Sequence, residues 1–241
     1  MALFSYDGWL LLLRWFHFLA GITWIGMLYY FNFVQTPFFA GAEAPVRMGM
    51  LAGGLVNRAL WWFRWGAMFT FITGWLMIAH MLHDLGIKGF FNGSYGWLIF
   101  FGGLLGTLMW FNVWFVIWPA QQILMASAAQ VVKGGQAIPE AAARGQRAGF
   151  ASRTNVLLSI PMLFFMGAAR HLTTMSQPST RGAKIGALIL LIIVLAAAEF
   201  NAMVGTTGGG KKMLGTLKGT FWGGFVLTAI LYVVLEILFR R

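Results

Sequence analysis

The chain has 241 residues, of which 59% are hydrophobic and 10% charged, with a net charge of +11 and a mean hydropathy of +0.76. A soluble domain carries nearer a quarter charged residues, so this composition excludes one and indicates an integral membrane protein. The lack of cysteine excludes disulfides, a thiolate nucleophile, a Cys-ligated Fe–S cluster and covalent c-type haem attachment.

Long apolar runs satisfy their own backbone in lipid as helices, so the fold class is all-α: a polytopic membrane helix bundle of about six transmembrane helices in a single domain, 1–241. The first span, 9–36, is longer than the apolar core of a cleaved signal, has no basic start, and is expected to end at Pro37. A short connector leads to the second span, 60–83, and a third, 95–118, is expected to end at Pro119. The stretch QQILMASAAQVVKGG then reads as a short separate helix stopped by Gly134 and Gly135. Spans four to six are placed at 155–175, 184–205 and 219–239, each near the twenty residues that a bilayer requires.

Loop charge gives the direction. Arg47, Arg58, Arg64, Lys133, Arg144, Arg147, Arg153, Lys211, Lys212 and Lys218 fall on one side, here called B. The N-terminal side, A, carries Lys88, Arg170, Arg181, Lys184, Arg240 and Arg241. The excess puts B in the cytoplasm of a bacterial inner (plasma) membrane and both termini in the periplasm. The basic charge is thus assigned to anionic lipid, and the partners implied are a lipid bilayer and no nucleic acid.

His17, His80, His83 and His171 come from three different spans and all fall toward side A. A haem or metal site between facing helices needs imidazoles at matched depth, which this placement offers. His17 shares a helix face with Gly21, one turn on, where a missing side chain would leave a flat gap for a porphyrin ring. Arg14, on the same stripe, could meet a propionate. The alternative is that His17 and Gly21 only pack helices, that Arg14 snorkels to the interface, and that His80 and His83 are interfacial polar groups. Glu199 is the one carboxylate deep in a span, open to proton relay or to pairing with a B-side arginine. Asn32 and Asn112 are expected to join helices by hydrogen bonds.

Three blocks carry a family resemblance. LLLRWFHFLAGITWIGMLYYF, GTLMWFNVWFVIWPAQQILMA and RGQRAGFASRTNVLLSIPMLFFMGAARH are similar to the membrane domain at the N-terminus of the cytochrome-c-linked bacterial urate oxidase (urate hydroxylase) family. In the third block the matching positions are Ser152, Asn155, Ser159, Pro161 and His171. The chain departs from the family pattern at Leu60–Trp61, within LIFFGG and at Thr154, where the family has histidines; His17 and His171 are retained. The resemblance implies a membrane domain lacking the family's cytochrome c domain. It also implies a redox role at the outer face.

The readings are therefore two. One is a b-type haem-binding oxidoreductase subunit, with haem b held by His17 and His171, His83 or His80 as the other candidates, and electrons exchanged with a c-type cytochrome or a larger membrane complex. The other is a haem-free structural or assembly subunit of such a complex. A solute transporter has less support, because Glu199 is the single deep acid and no repeat of broken helices is visible.

Overall fold

The computed structural model describes residues 2–172 and 180–239, and no strand occurs among them. Among the described residues six helices are long and apolar enough to cross a bilayer: Tyr6–Gly41, Leu55–Phe90, Ser94–Val132, Ala141–His171, Arg181–Met203 and Leu217–Phe239. The chain is a multi-pass membrane protein. The predicted end of the fourth span beyond Leu172, and the charges of Arg240 and Arg241, lie outside the described residues.

The first span comprises α1 (Tyr6–Tyr29), a π-helical turn (Tyr30–Gln35) and α2 (Thr36–Gly41). Ser5 caps its start by accepting from the Gly8 N–H at 3.3 Å. A short α3 (Ala44–Ala52) leads into α4 (Leu55–Phe90), which is broken at Gly86 by a φ of +64° that a residue with a side chain rarely adopts. The third span repeats the plan of the first, with α5 (Ser94–Phe111), a π-helical turn (Asn112–Ile117) and α6 (Trp118–Val132). Three long or terminal helices follow, α7 (Ala141–His171), α8 (Arg181–Met203) and α10 (Leu217–Phe239), with a short α9 (Gly209–Gly215) between the last two.

Neither Pro37 nor Pro119 ends its helix, contrary to the expectation from sequence. A proline lacks an N–H and clashes with the carbonyl four residues earlier. The wider π turn ahead of each proline takes up that clash: the Thr36 N–H bonds back to Phe31 O and the Trp118 N–H to Val113 O, both five residues away. QQILMASAAQVV is consequently the end of the third span and not a separate helix. It stops, as expected, before Gly134, whose φ is +84°. The fourth helix begins at Ala141, earlier than predicted, because RGQRAGFASR continues the helix below the apolar stretch.

The core is centred on α7, in which Asn155, Leu158, Ser159 and Phe165 are fully buried. Phe165 meets Phe101 of α5 with ring centroids 5.7 Å apart. Against the other side of the bundle, α1 and α4 close tightly: a Cβ on Gly66 would come within 3.0 Å of the Trp24 backbone nitrogen. Small residues at such crossings let helix backbones approach where no hydrophobic force drives them together.

Candidate functional site

Two polar regions are embedded in this bundle. The first lies along the α1–α4 seam toward side A. There the His17 imidazole fills the notch left by Gly74, where an added Cβ would stand 3.0 Å from its Cε1. His17 Nδ1 is 3.0 Å from Thr73 Oγ1. Thr73 already donates its single hydroxyl proton to Phe69 O at 2.6 Å. While that bond holds, Thr73 can only accept from the ring, which favours the tautomer with its proton on Nδ1 and its lone pair on Nε2.

The other histidines are placed differently. His80 receives the Trp9 indole N–H on Nε2 at 3.1 Å, and its Nδ1 lies 3.0 Å from Leu76 O, so both ring nitrogens are engaged. His83 is exposed, 3.3 Å from Asp84, and Asp84 also accepts from the Tyr6 hydroxyl. This rim ties the start of α1 to the end of α4. His171 is exposed on the last turn of α7, and Arg14 is exposed on α1. Gly21 does not face a gap: a Cβ there would lie in ordinary contact with Thr70, 3.9 Å away. The flat space expected beside it is filled by that threonine.

Depth can be read from the register of α1 on α7. The Tyr29 and Ser159 hydroxyls are hydrogen-bonded at 2.9 Å. His17 lies twelve residues before Tyr29 and His171 twelve residues after Ser159 on the antiparallel helix. At about 1.5 Å per residue, each is about 18 Å from that bond toward side A, at one level. Their faces differ, however, since His17 is turned to α4. Beside its anchor, an open apolar groove of about 450 Å³ is walled by Phe16, Leu19, Trp61, Trp65 and Phe69, with Thr73 at its edge.

The second region is a buried polar core reaching toward side B, built on the two π turns. Asn32 donates to Leu28 O at 2.9 Å and to Ser152 Oγ at 2.8 Å. Asn112 donates to Asn155 Oδ1 at 3.1 Å, and Asn155 donates to Met109 O at 2.9 Å. Both asparagines thus join helices as expected. Glu199 of α8 lies against the Asn112 side chain. Asn112 Oδ1 and Glu199 Oε2 are both buried without a hydrogen-bond partner. No ion pair engages Glu199 among the described residues. At the B end, Lys211 is 5% exposed. It donates to Ala202 O at 3.0 Å, closing the last turn of α8, and sits 4.1 Å from the Phe150 ring centre. Burial, with Arg147 nearby, pushes its ammonium pKa down.

A model of the urate oxidase N-terminal family matches residues 82–235. The chain belongs to the urate oxidase N-terminal family. The matched residues take in α5 to α9 and most of α10, and the Asn112–Asn155 core and Glu199 lie within that stretch. They begin after His17 and His80, so the resemblance in the first span stands outside the match. Among the positions that resemble the family, Ser152, Asn155 and Ser159 all carry interhelical hydrogen bonds. No curated protein and no solved structure matches the chain.

The polar core is what the sequence analysis undervalued. Its signal was the pair of stretches YFNFVQTP and WFNVWFVIWP, each an aromatic–Phe–Asn followed within two turns by proline. In both stretches a π turn that contains the buried asparagine runs up to the residues just before the proline.

Proposed function

We propose that this family member is a membrane redox subunit that binds haem b near the outer face and exchanges electrons with a c-type cytochrome. The observation that carries the reading is the contact of His17 Nδ1 with Thr73 Oγ1 at 3.0 Å. With Thr73 accepting from Nδ1, Nε2 would be the nitrogen open to a metal, the arrangement found around metal-ligating imidazoles, whose second nitrogen is held by an outer partner. His17 and His171, at the same level, would hold the haem, which would supply one-electron chemistry, and Thr73 would orient the His17 ring.

A second reading, a haem-free structural or assembly subunit, draws on that same observation. With Thr70 against Gly21 and Gly74 under His17, the α1–α4 seam is already packed. A reduced-minus-oxidised visible spectrum of the purified protein separates them. A Soret and an α band support the redox subunit; a colourless preparation supports the packing role.

A further inference from the structure

We infer that Glu199 carries a proton at neutral pH and that Glu199 and Asn112 together form a proton-binding site within the membrane, independent of any haem. The argument is a count of donors. Asn112 is fully buried, and its amide nitrogen bonds Asn155. The Glu199 carboxyl lies against the same amide. Between these two contacting groups, the oxygens left over, Asn112 Oδ1 and Glu199 Oε2, are both acceptors, both buried and both unmatched. Native proteins leave few such atoms, because a buried acceptor without a donor loses its bonds to water and gains none in return. One proton on Oε2 satisfies both. A carboxylic acid and a primary amide then pair in a ring, the amide N–H donating to one carboxyl oxygen while the acid O–H donates to the amide oxygen.

The charged groups on the elements packed against α8 do not change this count. On α7 they are Arg144, Arg147, Arg153, Arg170 and His171. Arg144 pairs with Glu140 and Arg153 donates to Leu214 O. On α9 the cations are Lys211, committed to Ala202 O, and Lys212. Lys218 and Glu236 lie on α10, and α5 has no charged residue. None forms an ion pair with Glu199 among the described residues.

The setting suits a site that loads and unloads. Asn112 opens a π turn, an element found often at functional positions. Glu199 stands four residues before the B end of α8, about 6 Å along the axis, so its proton would come from the side B water. A sodium ion is the other guest that unmatched oxygens could take, but two side-chain oxygens fall short of a cation's usual coordination shell, whereas they complete a single proton's hydrogen bond.

The test is labelling of the full-length protein in lipid nanodiscs with dicyclohexylcarbodiimide, which reacts with protonated carboxyls in apolar surroundings. Peptide mass spectrometry reads the site. Label is expected on Glu199 at neutral pH and not on Asp84 or Glu140, which are exposed. It should fall as pH is raised and be lost in Glu199→Gln, whose amide can still donate to Asn112 and so preserves the fold. Infrared spectra give a second reading, a protonated carbonyl band lost in the same variant. An unlabelled Glu199 with no such band overturns the proposal. Protection of Glu199 by sodium but not by potassium at constant pH overturns it in favour of a cation.

Discussion

Asn112 and Asn155, both fully buried, form an interhelical amide pair, Nδ2 to Oδ1 at 3.1 Å, that fixes the π turn of the third span against the central helix. Asn155 extends the contact to Met109 O, the last turn before the π turn begins. One side chain therefore anchors the start of the irregular backbone segment.

Replacing Asn155 with alanine is expected to destabilise the protein by about 1–2 kcal/mol, the scale of interhelical hydrogen bonds in membranes. The loss exposes no new water-accessible surface, so it should appear as a lower unfolding midpoint in detergent with unchanged helical content. Asn155→Ala with wild-type stability would show that the amide pair is incidental.

The glycines of the α1–α4 seam rank themselves. At Gly66 a methyl group would meet backbone atoms, Trp24 N at 3.0 Å and Ala20 O at 3.2 Å, which cannot swing away. At Gly74 it would meet the rim of the His17 ring, and at Gly26 nothing within 4 Å. Gly66→Ala should cost about 1–3 kcal/mol through overpacking, Gly74→Ala less, and Gly26→Ala should be neutral or stabilising. Thermal melts of the three variants check the order; equal effects would mean that α1 and α4 are not closed in the membrane.

How much of this was legible beforehand depended on periodicity and on backbone geometry. Six spans followed from apolar length alone, and the limits of the last two fell within a few residues of α8 and α10. Pro37 and Pro119 misled, because a proline rule assumes an α-helical ladder, and a π turn has already displaced the carbonyl that the ring would strike. The histidines could be placed on side A by counting. Their partners could not: Thr73 and Gly74, more than fifty residues from His17, become its neighbours only through the antiparallel packing of α4. The filling of the Gly21 space by Thr70 has the same cause. A glycine in one helix says that something comes close, and the other helix decides whether it is a ring or a methyl group.

Orientation can be tested without any assumption about the site. The B-side cations fix the expectation of both termini outside, and one of them, Arg64 in α4, is stacked 3.8 Å from the Trp118 ring centre. Tags at either end should be accessible to an impermeant reagent in cells whose outer membrane is permeabilised. Tags reached only after inner-membrane lysis would reverse the topology and put His17 on the cytoplasmic half.

The final prediction separates a ligand from a packing residue at His17. Thr73→Val keeps the shape and the helix but removes the acceptor on Nδ1. If His17 ligates haem through Nε2, the variant should retain the chromophore with a shifted spectrum or potential, because the ring is freer to rotate and less basic. His17→Ala and His171→Ala should each lose the low-spin bis-imidazole signature. His80→Ala should leave it intact, since Trp9 and Leu76 already occupy that ring, and so should His83→Ala, whose ring is exposed beside Asp84. If His17 only packs, Thr73→Val, His17→Ala and the wild type share the same absent haem bands. In that case both substitutions cost stability by the hydrogen bond they share, roughly 1 kcal/mol, and His17→Ala costs more because it also removes the ring packed against Gly74. Retention of an unaltered low-spin spectrum in His17→Ala would remove His17 from the site altogether.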